Sequence, residues 1–266
     1  MKKMSPRTIG IIQARLNASR LPGKVLKDIA GEPMLVRVFE RTSQSTSLDG
    51  VLVATTIDPS DDAIQTLCYQ RGYPCFRGDI FDVLDRYYRA ASDIQAEIIV
   101  RITADCPVID PVVIDRTVNS FLGFDNKGIP ITEQYDFAAN RLPPPWSRTY
   151  PIGLDTEVVS YQNLELAWRQ ADQKHQREHV MPFFYEQPDR FRICHVKYKH
   201  DYGWLRWTVD TPADLELLRM IYARFPDRDN FSWLEIIDLY RKEPELFQIN
   251  AEVKAKDYRQ VDHRQT

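Results

Sequence analysis

Ile9-Gly10-Ile11-Ile12-Gln13-Ala14-Arg15-Leu16-Asn17-Ala18-Ser19-Arg20-Leu21-Pro22-Gly23-Lys24-Val25-Leu26 is the stretch on which the reading of this chain turns. Ile9, Ile11 and Ile12 read as a buried strand, which then breaks into a loop carrying the cations Arg15, Arg20 and Lys24. In an open α/β sheet, ligands bind beyond the carboxyl ends of strands, where this loop falls. Arginine presents a planar fork to phosphate oxygens and lysine a mobile point charge, while Pro22-Gly23 turns the backbone so that Lys24 can point back into the loop. These residue types predict a site for a nucleoside triphosphate, against the plainer alternative of a basic surface loop after an edge strand. Neither Gly-x-Gly-x-x-Gly nor Gly-x-x-x-x-Gly-Lys-Ser/Thr occurs, which excludes the dinucleotide fingerprint and the Walker loop.

Outward from this loop, short apolar runs alternate with helix-period segments as far as residue 124, the pattern of βα units around a mainly parallel, Rossmann-like sheet. Strands are expected at about 8–14, at Val51–Thr55, at Cys75–Arg77 and at Ile98–Ile102. Helices are expected from Pro33, from a Ser60 cap to Gly72, over Ile80–Ala91 with Phe81, Leu84, Tyr88 and Ala91 inward, and from Asp110-Pro111. Residues 125 to about 200 change character, with Pro143-Pro144-Pro145-Trp146 forcing an extended segment before a helix over Tyr161–His175. They read as an inserted substrate and dimerisation subdomain, which makes a homodimer the expected state. Leu205–Val209 is expected to return as a sheet strand before a helix capped at Thr211. One α/β domain over 1–250 and a loosely held polar tail over 251–266 complete the expected organisation.

The 266 residues suit one large α/β domain, and a net charge of −3, from 35 basic and 38 acidic residues, lacks the basic footprint of a nucleic-acid binder. The cations of the loop are therefore local and suited to a small anion. Cys68, Cys75, Cys106 and Cys194 show no C-x-x-C spacing, so neither a zinc site nor a disulfide framework is expected. The apolar run after the basic start ends at Arg15, too short to span a membrane, and the expectation is a soluble cytoplasmic protein with no membrane partner.

Two aspartates fall at expected strand ends: Asp105 after the strand 98–103, and Asp210 after 205–209. A triphosphate needs its charge neutralised before a nucleophile approaches, and Mg²⁺ held by one or two carboxylates is the usual device. Asp105 and Asp210 are the expected metal ligands, on the same edge as Arg15 and Lys24, which are expected to stabilise charge growing in the reaction. Residue by residue, the plain alternative is a turn or helix-cap aspartate.

Gln13-Ala14-Arg15 with Arg20-Leu21-Pro22-Gly23-Lys24 resembles the signature of the cytidylyltransferases that make CMP-activated sugar acids, and is especially similar to the spore coat polysaccharide protein F group, relatives of the CMP-Kdo and CMP-sialic acid synthetases. Asp105-Cys106-Pro107 and Asp210-Thr211-Pro212-Ala213-Asp214 resemble that family's metal elements. The resemblance implies a nucleotide-diphospho-sugar transferase fold, Mg²⁺ as cofactor, triphosphate contacts from Arg15, Ser19 and Lys24, with Arg20 and Thr103 nearby, and cytosine read at Ala14. Pro151-x-Gly153-x-Asp155-x-Glu157 and Arg177-Glu178-His179-Val180 resemble acceptor-side elements, which implies that Asp155, Glu157, Arg177 and His179 bind the acceptor. Val25 and Thr103-Ala104 depart from the sialic acid and Kdo patterns respectively.

The function so implied is transfer of CMP from CTP to an acidic, nonulosonate-like sugar, with release of pyrophosphate, for a surface polysaccharide. A glycosyltransferase on a similar fold is the first alternative, but it would carry an Asp-x-Asp metal motif, and Asp105 stands without one. A non-catalytic nucleotide-binding subunit is the second.

Overall fold

The isoleucine run forms β1 (Thr8–Gln13), and every element that follows is placed by its relation to this strand. The computed structural model describes residues 6–124, 129–130, 134–226, 228–254, 259 and 261–262, so the start of the chain and much of the tail expected over 251–266 lie outside the described residues. From β1 the chain passes a short hairpin, β2 (Asp28–Ile29) and β3 (Glu32–Pro33), into α1 (Met34–Ser43), β4 (Gly50–Thr56), α2 (Asp62–Arg71), β5 (Cys75–Gly78), α3 (Val83–Asp93), β6 (Ile98–Thr103) and α4 (Pro111–Phe121). Then come β7 (Phe137–Ala139), β8 (Glu157–Ser160), α5 (Tyr161–Gln170), α6 (Lys174–His179), α7 (Pro182–Tyr185), β9 (Ile193–His195), α8 (Pro212–Ala223) and α9 (Trp233–Lys242).

The main sheet has seven strands in the order β5-β4-β1-β6-β8-β7-β9. β8 pairs antiparallel with both β6 and β7, while the remaining pairings are parallel. This is the mostly parallel α/β sheet expected. The segment expected as an inserted subdomain lends β7, β8 and β9 to this same sheet. Side chains alternate between two cores: Ile12, Val53, Val100 and Ile102 pack with α1, α4, α8 and α9, while Ile9, Ile11, Leu52 and Ile99 pack with α3 and α5. From β1 the chain winds outward through β4 and β5, then returns to lay β6 on the other side of β1. The crevice beyond β1 and β6 is thus the switch point of the sheet, where open α/β sheets take their ligands.

Local details correct several expectations. Asp58, not Ser60, caps the turn ahead of α2, because Pro59 begins a short 3-10 helix and the Asp58 carboxylate accepts from Ser60 N at 2.8 Å. α3 starts at Val83, since Asp79 and Asp82 hold the preceding turns through their carboxylates. Its buried face is therefore Val83, Leu84, Tyr87, Ala90 and Ala91, with Tyr88 half-buried. The helix from Tyr161 ends at Gln170, and α6 begins separately at Lys174.

The largest correction concerns residues 205–209, which are extended but form no strand of the sheet. β8 has taken the free edge of β6, so this segment crosses beyond it and pairs with the 150–154 turn through Ile152 N to Leu205 O at 2.8 Å and Trp207 N to Ile152 O. Gly153 makes the crossing possible. Its φ is +111°, and a Cβ there would lie 2.6 Å from Trp207 C and 2.7 Å from Thr208 N, both backbone atoms. Gly153→Ala is expected to cost about 2 kcal/mol or more, through strain and overpacking together, measured as the shift in urea midpoint. An unchanged midpoint would show that the 205–209 segment yields freely.

Candidate functional site

The loop after β1 is held by two anchors invisible to local sequence reading. Asp61, buried at 1 % exposure, accepts from Leu16 N at 2.7 Å and from the Thr56 hydroxyl, and Leu16 O accepts from Ala18 N and Gly23 N, each at 2.8 Å. Gly23 adopts φ 69°, which starts a 3-10 turn over Lys24–Leu26 and folds Lys24 back into the protein. Ala14 is buried beside β4, donating its N–H to Ala54 O at 3.2 Å, and Ser19 is exposed on the loop. Thr103 ends β6 opposite Gln13.

The Lys24 ammonium is the centre of the site. It donates to Asp105 Oδ2 at 2.8 Å, Asp210 Oδ1 at 2.9 Å and Val209 O at 2.7 Å. Two oxygens sharing one ammonium this closely lie within about 6 Å of each other, a separation that one divalent cation can span directly at the short end and through its bound waters at the long end. Asp105 comes from the end of β6, and its backbone carbonyl accepts from Val209 N at 2.8 Å and from the Thr208 hydroxyl at 3.1 Å, which clips the crossing segment to β6. Asp210 thus reaches the switch point without a sheet strand beneath it. Burial works against the charge on Lys24, but Asp105 and Asp210 outweigh it and raise its pKa above the usual lysine value.

Asp210 is gripped by three cations: Lys24, Arg20 at 2.7 Å and Arg206 at 2.7 Å. Burial alone would raise its pKa, yet Lys24, Arg20 and Arg206 bring it down to about 2. Behind Arg206 stands Asp214, fully buried, which accepts from Arg206 Nε at 2.9 Å, Asn250 Nδ2 at 2.8 Å and Thr211 N at 2.9 Å while closing the capping box of α8. Arg15 lies 3.6 Å from Glu178 of α6 and 3.2 Å from Asp262, while Arg20 Nη1 donates to Lys254 O at 3.2 Å. The polar tail therefore touches both arginines of the loop.

A second charged cluster adjoins the first. Arg101 on β6 donates to Gln13 Oε1 at 3.1 Å and pairs with Glu157 of β8, while Asp155, just before β8, receives the Arg148 fork at 2.5 and 3.2 Å. Arg141 lies 4.0 Å from Asp155 and 3.9 Å from Glu157. Burial pushes the Asp155 pKa up, but Arg148, Arg141 and Arg101 prevail and hold it below the usual carboxylate range. Arg177 stands apart from this cluster: its fork holds Asp82 at the start of α3, and Nη1 donates to Trp168 O at 2.6 Å. His179 is half-buried at the end of α6.

The structure thus gathers Ala14, Arg15, Ser19, Arg20, Lys24, Thr103, Asp105 and Asp210 around one crevice, with Asp155 and Glu157 beside it. Sequence reasoning missed Asp61, Glu178, Arg206 and Asp214, whose roles depend on contacts that only the folded chain makes. In His195 both ring nitrogens are buried without a partner, and burial lowers its pKa to about 4. Among the described residues no cluster of three or more His, Cys, Asp or Glu could hold a metal ion. Two oxygen-donor carboxylates a few ångströms apart are nonetheless a donor set that suits Mg²⁺, which seldom takes an all-protein cage. No helix of the described residues is long and apolar enough to cross a membrane.

Cations and paired carboxylates opening on one switch point are the means by which a sheet handles a nucleotide's phosphates, and the fold is that of a nucleotidyltransferase. Residues 9–225 match the cytidylyltransferase family, to which this chain belongs. It is 37 % identical over 257 residues to the uncharacterized protein MJ1063 of Methanocaldococcus jannaschii, covering 96 % of this chain and 98 % of that one. Over 242 residues it is 28 % identical to the spore coat polysaccharide biosynthesis protein SpsF of Bacillus subtilis, covering 88 % and 94 %. A 117-residue stretch, 43 % of this chain and 45 % of the other, is 38 % identical to the 3-deoxy-manno-octulosonate cytidylyltransferase of Solibacter usitatus. Among solved structures, a cytidylyltransferase from Leptospira borgpetersenii superposes with a TM-score of 0.83 at 28 % identity, covering 95 % of this chain and all of that one.

Proposed function

We propose that this cytidylyltransferase transfers CMP from CTP to a hydroxyl of an acidic sugar, releasing pyrophosphate, with Mg²⁺ held between Asp105 and Asp210. The observation that carries the reading is the Lys24 ammonium bridging those two carboxylates at the switch point. The likeness to 3-deoxy-manno-octulosonate cytidylyltransferases supports an acidic acceptor, and the likeness to the spore coat protein supports a polysaccharide as the destination.

Arg15, Arg20 and Lys24 would neutralise the phosphates, Ser19 would add a hydroxyl to them, and Ala14 would lie along the base. The metal, when bound, supplies charge stabilisation at the phosphates. Lys24 already contacts both of its expected ligands, so it can follow charge from the carboxylates to the phosphates as the α-phosphorus is attacked and pyrophosphate leaves. The cluster of Asp155, Glu157 and their arginines would seat the acceptor. Arg177 would brace α6 against α3, which sets Glu178 on Arg15.

Purified protein incubated with each nucleoside triphosphate, Mg²⁺ and a panel of sugar acids is expected to release pyrophosphate at least about tenfold faster with CTP than with ATP or GTP, a modest ratio for base contacts of this kind. Chelator should abolish the release. Equal turnover with all bases would defeat the cytidylyl assignment, and full turnover in chelator would defeat the metal.

A further inference from the structure

Cys68 and Cys75 lack the close spacing of a sequence motif, and it is the fold that brings them together. Cys68 lies in the last turn of α2, fully buried, and the helix closes behind it on Gly72, whose φ of 70° lets Tyr73 N donate to Cys68 O at 2.8 Å. That reversal turns the chain back toward the sheet. Pro74 O then accepts from Val53 N at 2.9 Å, and β5 begins at Cys75 in register with Val53. Paired residues of neighbouring strands point to the same face, so Cys75 faces the core patch that α2 covers with Ile64 and Cys68. There the two side chains share a thiol–thiol hydrogen bond. Cys68 is sealed in the core, whereas Cys75 is half-buried on the edge strand of the sheet, within reach of a small solute.

We infer that Cys68 and Cys75 are a reversible redox pair, which hydrogen peroxide converts into a disulfide tying the end of α2 to β5. The two sulfurs have unequal parts. The hydrogen bond from Cys68 and the charge of Arg77, further along β5, lower the Cys75 pKa against the effect of burial, while the same hydrogen bond, and then burial, raise that of Cys68. Cys75 is thus the attacking thiolate. It takes one oxygen of the peroxide as hydroxide leaves, giving a sulfenic acid; Cys68 then attacks that sulfur, its proton departs with the hydroxyl as water, and the S–S bond closes. The two thiols are oxidised and the peroxide is reduced to water. The other cysteines are placed differently: Cys106 is buried beside the Asp105 carboxylate, and Cys194 lies on β9, at the opposite edge of the sheet. Because the bond closes a contact that the fold already makes, it stabilises the protein by restricting the unfolded chain.

The test starts from protein reduced with dithiothreitol and desalted, which is treated with hydrogen peroxide before its thiols are counted in denaturant. The count should fall from four to two, with the loss of two hydrogens in mass. Trypsin, which cleaves after Arg71 between the pair, should leave the Cys68 and Cys75 peptides joined until dithiothreitol is restored. The oxidised protein should melt about 3 °C or more above the reduced one. Cys68→Ser should stop at the sulfenic acid of Cys75, trapped by dimedone, and Cys75→Ser should keep all its remaining thiols. Four thiols that survive peroxide in the wild type overturn the inference, as does a disulfide joining any other pair, or a Cys68–Cys75 bond that fails to raise the melting temperature.

Discussion

Lys24→Ala is expected to lower turnover at saturating nucleotide by about a hundredfold or more, the usual scale for removing a preorganised donor from growing charge. The structure adds a second effect. With Lys24 gone, Asp105 and Asp210 face each other within about 6 Å with Arg20 and Arg206 compensating only Asp210, so stability should also fall by about 1–3 kcal/mol. Added Mg²⁺ should restore part of that stability by taking the ammonium's place, without restoring the rate. Steady-state turnover and thermal melting with and without Mg²⁺ separate the two effects. Near-normal turnover would remove Lys24 from the chemistry, and a melting temperature that ignores Mg²⁺ would remove the metal from the aspartate pair.

Asp210→Asn should raise the Mg²⁺ concentration needed for half-maximal turnover by about tenfold or more, because the variant keeps the shape of the ligand and loses its charge. It should also change the acid limb of stability. The folded-state pKa of Asp210 lies at about 2, below the ordinary 3.8. Its contribution is therefore fully present above pH 4 and is lost as pH falls from about 4 to about 2; with 23 % of the side chain exposed, it amounts to about 2 kcal/mol. Urea unfolding between pH 2 and pH 5 should show wild type losing this increment and Asp210→Asn lacking it. Parallel curves for the two proteins would mean that the three cations around Asp210 contribute nothing net.

The parallel half of the sheet was legible because its information is local. Ile9, Ile11 and Ile12 report burial, Gly72 and Asp110 mark helix ends through their own backbones or side chains, and the cationic loop announces itself by composition. Asp105 and Asp210 could be brought together on paper because each follows an apolar run, though for Asp210 the route was mistaken. Nothing in Leu205–Val209 distinguishes a strand from an extended crossing; that depends on β8 having taken the edge of β6 and on Gly153 yielding space. The anchors were illegible for the same reason. Asp61 reads as a helix-start aspartate, Glu178 as part of a surface ion cluster and Arg206 as one charge in an apolar run, until contacts across 45, 163 and 4 residues assign them to Leu16, Arg15 and Asp210.

Every cation of the phosphate loop is already partnered: Arg15 with Glu178 and Asp262, Arg20 with Asp210, and Lys24 with Asp105 and Asp210. On the proposed reading, loading the crevice with a nucleotide is therefore an exchange of one set of anions for another. The counterions released are the protein's own carboxylates, not ions from bulk solution, so nucleotide affinity should depend less on ionic strength than three arginine and lysine charges would suggest. A polyphosphate brings enough charge to replace all of these partners at once. Chloride or acetate can replace one at most, so the loop is armed against the small anions that outnumber nucleotides in any cell.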